Sequence, residues 1–360
     1  MEKIKKYLEC YIPTETCNFR CHYCYIAQLG KFKNKLAQFT KTPEEIRAAF
    51  TRKRLGGTCL FNLCAGGETL LVKEIIDITE QLLDEGHYVM IVTNGSLTKR
   101  FEELSKLPEK LLNRLIIKFS FHYMELKRLN LLDKYFDNVN LMRKSGASIV
   151  VEITPNDETE EFIPEIKKIC MEKLGALPQI TIARNDNDKN ISHLSKHSFE
   201  EFIKTWSEFE SPMLDFKSTI FYKKRKEYCY AGDWSIYVNL VTGEYSQCYC
   251  GIRLGNVYEN IKKPLNSVAM GKKCPLPHCY NGHAFLTLGD IPELDTITYA
   301  QLRNRVSGDG SEWLTKEMKQ FISSKLSETN DKYNSIKKLN NTIKKYKTKL
   351  NNKKERLKNK

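Results

Sequence analysis

Three cysteines, Cys17, Cys21 and Cys24, stand within eight residues near the start of the chain. Their CxxxCxxC spacing follows a short apolar run, residues 7–13, that is typical of a β-strand. Thiolates are the ligands that iron-sulfur clusters take, and a loop this tight can place three of them around one corner of a cubane cluster. The spacing therefore predicts a 4Fe-4S cluster whose fourth iron is open to an outside ligand.

This loop resembles the signature of the radical S-adenosylmethionine (SAM) enzymes, in which an aromatic residue, here Tyr23, precedes the last cysteine. The resemblance implies that the three cysteines hold the cluster and that its free iron binds the amino and carboxylate groups of SAM. Tyr23 would lie near the adenine. A zinc site is the alternative, although zinc knuckles more often use CxxC pairs and need a fourth ligand. His22 could offer one, but it lies too close in sequence to complete a tetrahedron easily.

A second motif, Gly66-Gly67-Glu68, follows the next predicted strand. That strand, residues 58–63, is a continuous apolar run, as expected where both faces of a parallel sheet are covered. Two glycines at the carboxyl end of a strand let the backbone approach a ligand without a Cβ in the way. In the radical SAM family a GGE motif contacts the SAM amino group, so the resemblance implies this role for Glu68. A plain turn before a helix is the alternative.

Strands and helices alternate through the first half of the chain. The predicted strands are residues 7–13, 58–63, 87–92, 115–121, 148–153 and 179–183, and the predicted helices are 42–55, 72–85, 98–107, 131–145 and 160–175. This alternation predicts a parallel α/β structure with right-handed crossovers, but it does not separate an open doubly wound sheet from a barrel. The family resemblance implies a partial (β/α)6 barrel of the TIM type, with the active site at the carboxyl ends of the strands.

Polar residues stand where these strands end. We expect Asn94, in a Thr-Asn-Gly sequence that is frequent in the family, to contribute to the cofactor site. Ser120 is a candidate for the SAM ribose or carboxylate, and Arg184 for an anionic group. Further candidates at strand ends are His122, Glu152 and Thr154. Each of these residues could instead cap its strand or loop.

A second group of cysteines begins at Cys229, which is followed by 13 residues, Gly243, four more residues and Cys248. Residues 235–240 and 244–248 predict two strands of a hairpin that brings both thiols to one end. The spacing resembles the opening of the SPASM and twitch extensions of radical SAM enzymes. It is followed by Cys250, Cys274 and Cys279.

SPASM domains carry seven cysteines, whereas five are present from Cys229 onward. The count therefore resembles the shorter twitch version, which holds one auxiliary 4Fe-4S cluster. The resemblance implies as its ligands Cys229, Cys248, Cys274 and Cys279. The last pair is CxxxxC where CxxC is more usual, so Cys250 is a replacement candidate. Structural zinc is the alternative, with His278 and His283 able to join it.

Composition limits the remaining function classes. Residues 331–360 contain 12 Lys/Arg and 2 Asp/Glu, so they hold +10 of the net charge of +14 and leave a mildly basic body. No apolar run approaches the roughly 18 residues that span a bilayer, and no signal sequence is evident, so we expect a cytoplasmic protein without a membrane partner. Twelve cysteines in such a chain favour metal ligands over disulfides.

The basic tail has apolar residues at heptad spacing from Ile336 to Leu357. It predicts a solvated charged helix or a partly disordered end, with an oligomerising or polyanion-binding arm as the alternative. The predicted domains are a radical SAM core (1–185), a linker with one helix at 198–209 (186–228), an auxiliary-cluster domain with a hairpin (229–300), a helical segment (301–330) and the tail (331–360).

The family resemblance implies an oxidoreductase that cleaves SAM to a 5′-deoxyadenosyl radical, which abstracts a hydrogen atom from a small, carbohydrate-like substrate. The auxiliary cluster would accept an electron, and a flavodoxin- or ferredoxin-type protein would supply the reducing electron. The short segment before the first strand favours a small molecule over a peptide, so a peptide-modifying radical SAM enzyme is the alternative. A zinc-containing nucleic-acid-binding protein would explain the charge and the cysteines but not the GGE motif.

Overall fold

The computed structural model describes residues 2–280, 286–287 and 296–358. Nine strands form one sheet in the order β6-β5-β4-β3-β2-β1-β7-β8-β9. They are β1 (Lys6–Ile12), β2 (Cys59–Ala65), β3 (Tyr88–Thr93), β4 (Leu115–Ser120), β5 (Ser148–Ile153), β6 (Gln179–Ile180), β7 (Ser235–Asn239), β8 (Glu244–Ser246) and β9 (Arg253–Asn256).

Strands β1 to β6 are all parallel and lie side by side in chain order. A doubly wound sheet reverses its strand order at a switch point, and these six strands show no reversal. The predicted parallel α/β structure is confirmed. Closure of the sheet into a partial barrel stays a prediction.

Helices connect the strands and continue after the sheet. They are α1 (Tyr25–Gln28), α2 (Pro43–Ala49), α3 (Arg52–Leu55), α4 (Ile75–Asp84), α5 (Thr98–Leu104), α6 (Glu109–Leu112), α7 (Tyr123–Arg128), α8 (Leu132–Lys144), α9 (Ile163–Leu174), α10 (Phe199–Trp206), α11 (Pro212–Ile220), α12 (Tyr299–Arg303), α13 (Lys316–Ile322) and α14 (Ser335–Lys358). The helix predicted over 42–55 is divided, because the side chain of Thr51 accepts a hydrogen bond from the Arg54 amide and starts a new helix.

Alternate residues of the strands face different surroundings, as the pleat requires. One face is apolar and packs against helices; it includes Leu8, Phe61, Ile91, Ile117 and Val151. The other face is apolar only toward the strand starts, where Leu60, Ile116 and Val150 pack with residues of α12 and α13 in a second core. The carboxyl-terminal half of this second face is polar and borders a cavity.

The second cysteine region continues the main sheet. The predicted hairpin is confirmed, because β7 and β8 pair antiparallel through Tyr237 and Ser246. However, β7 also pairs in parallel with β1, and Ile236 and Val238 join the core that contains Leu8. The residues predicted as a separate auxiliary domain thus share a sheet with the first strand.

The segment 186–228, predicted as a linker with one helix, contains two helices. Ser198 begins α10 with a capping box, close to the predicted start. The second helix, α11, was not predicted. Trp206 and Leu214 are fully buried in the main core, so both helices pack against the body of the protein.

The tail helix α14 lies on the second cysteine region through polar contacts. The Asn341 side chain is buried and exchanges hydrogen bonds of 2.8 and 2.9 Å with the backbone of Ala269. The Asn352 side chain donates to the Arg253 carbonyl oxygen. The six apolar residues at heptad spacing are exposed instead: Ile336, Leu339, Ile343, Tyr346, Leu350 and Leu357. The helical form of the tail prediction is confirmed over residues 335–358.

Candidate active site

The first cysteine loop packs against the carboxyl ends of β2 and β3. Cys21 is buried, whereas Cys17 and Cys24 are partly buried. The sulfur of Cys17 accepts hydrogen bonds from the Phe19 amide at 3.4 Å and from the Asn94 side chain at 3.7 Å. Burial raises the pKa of the Cys17 thiol to about 11. The loop therefore holds three thiols near the sheet edge where the sequence predicted the active site.

The two glycines of the GGE motif allow the backbone after β2 to pack closely against the cysteine loop. A Cβ on Gly66 would stand 2.6 Å from the carbonyl oxygen of Thr14, and one on Gly67 would overlap the carbonyl group of Thr16. The Glu68 amide donates to that same Thr16 carbonyl oxygen at 3.1 Å. The glycines thus let the backbone after β2 touch the cysteine loop itself.

Glu68 is buried and connects two strand ends. Its carboxylate accepts hydrogen bonds from the Thr93 hydroxyl at 2.6 Å, the Asn94 amide at 2.7 Å and the Leu70 amide at 2.9 Å. Burial raises the pKa of Glu68 even though these three donors act to lower it. Asn94 in turn donates to the Asn18 side chain at 2.8 Å, which links the end of β3 to the cysteine loop.

A cavity of about 600 Å³ opens beside the loop on the polar face of the sheet. Of the predicted site residues, those that line it are Tyr23, Cys24, His122, Glu152, Thr154 and Arg184. The hydroxyl of Tyr23 lies 2.8 Å from Nδ1 of His122. Burial lowers the pKa of His122 to about 4, so this imidazole is neutral at physiological pH.

Arg184 stands in the cavity wall with two partners. Its guanidinium forms an ion pair of 2.9 Å with Asp186 and lies 4.5 Å from the centre of the Tyr280 ring. The other predicted site residues lie outside the cavity lining. Four of them pack around the cysteine loop: Gly66, Gly67, Glu68 and Asn94. Ser120 pairs with Glu152 across β4 and β5.

The inner end of the cavity carries a charged cluster that sequence reasoning mostly missed. Glu152 accepts from Lys118 and from Arg303, each at 2.6 Å. Burial alone would raise the pKa of Glu152, but the nearby cations Lys118, Arg303 and Lys217 lower it to about 2. Lys217, from α11, also lines this end, and burial lowers its pKa to about 8.

A sequence signal for part of this cluster existed. Glu9, Asn62, Lys118 and Glu152 each interrupt an otherwise apolar strand, and all four line the cavity. Single polar residues at one phase of several parallel strands indicate a shared polar interior. Lys217 and Arg303 gave no such signal, because they lie on helices far along the chain.

The second group of cysteines is assembled around the β7–β8 hairpin. Cys248 is buried with Met270, and Cys229, Cys250 and Cys274 pack against them. Cys279 packs instead at the border of the core formed with α12 and α13. Tyr249, between two of the cysteines, lines the cavity. Of the predicted alternative zinc ligands, His283 lies outside the described residues.

Among the described residues, neither cysteine group brings three thiols within 4.8 Å of one another. Thiolates bound to one zinc ion at about 2.3 Å lie roughly 3.8 Å apart. In the part of the chain that the structure describes, the one set of three candidate ligand atoms within 4.8 Å of one another is Asp157, Glu160 and His197, without any cysteine. A cubane cluster binds each thiolate through a different iron and so spaces them more widely.

Residues 11–170 match the family model of the radical SAM superfamily, and this segment contains the cysteine loop, the GGE motif and strands β2 to β5. This segment, 160 of the 360 residues, is similar to the radical SAM superfamily. The match confirms the family resemblance of the cysteine loop and implies a 4Fe-4S cluster and SAM. The cysteines from 229 onward lie beyond the matched residues.

The curated relatives of this segment are named as enzymes, in agreement with the prediction of an enzyme. One is a Methanocaldococcus jannaschii protein named as a glycyl-radical enzyme activating enzyme, 25% identical over 157 residues, which are 41% of this chain and 59% of that one. Another is the 7-carboxy-7-deazaguanine synthase of Aquifex aeolicus, 31% identical over 99 residues, 28% of this chain and 41% of that one. The chain thus spans about half the length of these relatives.

Among solved structures, Streptococcus suis SuiB bound to S-adenosylmethionine superimposes with a TM-score of 0.50 at 13% identity. The superposition covers 72% of this chain and 65% of SuiB, and it shows a similar fold. Within the described residues, every helix is too short or too polar to cross a membrane.

Proposed function

We propose that the chain reductively cleaves SAM and abstracts a hydrogen atom from a substrate held in the cavity. The observation that carries this proposal is that the cysteine loop opens into the cavity, since Tyr23 and Cys24 form part of its wall. When bound, a reduced cluster and SAM supply a 5′-deoxyadenosyl radical, and an auxiliary 4Fe-4S cluster accepts the electron that the substrate radical gives up.

The residues around the loop fit this assignment. Cys17, Cys21 and Cys24 would hold the cluster. The hydrogen bond from the Asn94 side chain to the Cys17 sulfur and the close packing of Gly67 against Thr16 hold the loop against the sheet. Tyr23 would flank the adenine. Glu68 and Asn94 would orient the methionine end of SAM, Ser120 its ribose or carboxylate, and Arg184 an anionic group at the cavity mouth.

The second cysteine group would hold the cluster that accepts the electron from the substrate radical. The packing favours Cys229, Cys248, Cys250 and Cys274 as the ligand set, with Cys250 in the place first expected for Cys279. Tyr249, which lies between Cys248 and Cys250 in the chain, lines the cavity, so this cysteine group borders the cavity wall. Loss of one hydrogen atom, one proton and one electron completes a two-electron oxidation of the substrate, and this electron would pass to the auxiliary cluster. A flavodoxin- or ferredoxin-type partner would supply the electron that reduces the first cluster.

A small molecule suits the cavity better than a peptide. Its volume of about 600 Å³ lies within the range of small-molecule sites. The many hydroxyl and charged groups in its wall suit a polar, carbohydrate-like compound. A peptide side chain entering the same cavity is the alternative substrate.

The test is SAM cleavage by the full chain, reconstituted anaerobically with iron, sulfide and a chemical reductant. We expect 5′-deoxyadenosine from the wild type and none from Cys17→Ala. Cys274→Ala should still form 5′-deoxyadenosine but should not complete substrate oxidation. Cys170→Ala is the matched control, because Cys170 is buried on α9 away from both groups.

Iron and sulfide analysis accompanies this assay. Intact clusters in the wild type without 5′-deoxyadenosine would contradict the proposal. Zinc in place of iron would favour the structural-metal alternative.

A further inference from the structure

Three cationic side chains from separate elements meet at the inner end of the cavity: Lys118 on β4, Lys217 on α11 and Arg303 on α12. Glu152 already pairs with two of them, through one oxygen to Lys118 and through the other to Arg303. Lys217 donates to the Thr181 hydroxyl, and no carboxylate among the described residues lies within ion-pair distance of it. The third cation therefore lacks a counterion of its own.

Counting every charge in this region gives the same result. Glu9 also lines the cavity, where it accepts from the Tyr7 hydroxyl at 2.8 Å and from the Asn62 side chain at 2.9 Å. The cavity wall also contains Lys31, Arg184 and Asp186, so that five positive charges face three negative ones in total. An uncompensated charge in a buried site is unfavourable unless a ligand neutralises it.

Arg303 provides an independent sign of a missing partner. Only 5% of this residue is exposed, and its Nε is buried without a hydrogen-bond partner although its Nη1 binds Glu152. Buried guanidinium donors in proteins are normally satisfied. The Oδ1 atom of Asn62, also at the cavity, is likewise buried without a partner and could accept from a hydroxyl or amino group.

We propose that the substrate carries an anionic group, a carboxylate or a phosphate, that binds between Lys217 and Arg303. This identification of the ligand as the substrate rests on the function proposed above. The anion would anchor one end of the molecule on the sheet floor, while the remainder extends toward Tyr23 and Cys24. Arginine and lysine are the side chains that bind both kinds of anion.

The experiment is calorimetric titration of the reconstituted full chain, with SAM and without reductant, using sodium acetate in one series and inorganic phosphate in the other. We expect one of the two anions to bind, which distinguishes a carboxylate site from a phosphate site. Lys217→Gln should weaken that binding by at least about tenfold, because it removes a charged hydrogen-bond donor. Lys217→Arg, which keeps the charge, should retain binding.

Lys223→Gln is the matched control, since Lys223 is exposed just after α11 and its loss changes the net charge equally. Binding of neither anion by the wild type, or equal binding by Lys217→Gln and Lys223→Gln, would overturn the proposal. The titration involves no SAM cleavage. A protein that binds the anion but forms no 5′-deoxyadenosine would contradict the proposed function alone, and the reverse result would contradict this inference alone.

Discussion

Gly67→Ala tests whether the contact between the GGE motif and the cysteine loop positions the active site. In the wild type, the Glu68 amide donates to the Thr16 carbonyl oxygen at 3.1 Å. A Cβ on Gly67 would stand 2.5 Å from the carbonyl carbon of Thr16 and closer still to its oxygen. The carbonyl oxygen would stand at 1.7 Å, and real Cβ atoms essentially never approach another heavy atom closer than 3.0 Å, so the loop must retreat by at least about 1.3 Å.

A displacement of this size has two expected consequences. Overpacking of this kind costs about 1–3 kcal/mol of folding free energy, which a folded chain can tolerate. A displacement of about 1 Å at a catalytic group can reduce the rate by about 100-fold. We therefore expect Gly67→Ala to fold, with 5′-deoxyadenosine formation lowered at least about 100-fold and SAM binding weakened.

The assay compares 5′-deoxyadenosine formation, SAM affinity, iron content and urea unfolding for Gly67→Ala and Gly308→Ala. Gly308 is the matched control, because a Cβ there would meet nothing within 4 Å. It should behave as the wild type in all four measurements. Near wild-type SAM cleavage and affinity in Gly67→Ala would refute the argument that this close approach sets the loop position.

Two further predictions concern stability. Glu152→Gln leaves Lys118 and Arg303 without their carboxylate and should cost about 3–5 kcal/mol at pH 7, whereas exposed Glu161→Gln should change little. The pKa of Glu152 is about 2 in the folded protein and 4.5 ordinarily, so its stabilisation is complete above pH 4.5 and is lost as the pH falls toward 2. The unfolding free energies of the wild type and the variant, measured in urea, should therefore converge over this pH range. A constant difference between them would contradict the argument. Asn341→Ala should destabilise the protein by about 1–3 kcal/mol, because it leaves the backbone groups of Ala269 unpaired. Asn340→Ala, at an exposed position, should not destabilise it. Thermal unfolding of both variants checks this, and equal midpoints would contradict it.

Local patterns in the sequence determined the fold class and the family resemblance. The spacing of Cys17, Cys21 and Cys24 and the position of the GGE motif after a strand are local properties, and they carried the resemblance that the match over residues 11–170 supports. The alternation of apolar runs predicted five of the first six strands within two residues at each end. Only β6 is much shorter than predicted, because the chain leaves the sheet after Ile180.

Tertiary structure decided which polar residues share a site. Ser120 and Glu152 are partners across the ladder and lie on the same face of the sheet, yet only Glu152, which pairs with Lys118 and Arg303, lines the cavity. The pairing of β7 with β1, and the placement of Lys217 and Arg303 opposite Glu152, join segments that are distant along the chain. The local periodicity of the sequence does not predict contacts between such distant segments. The cysteine loop was therefore recognisable from its own residues, but the charged cavity beside it required the folded chain.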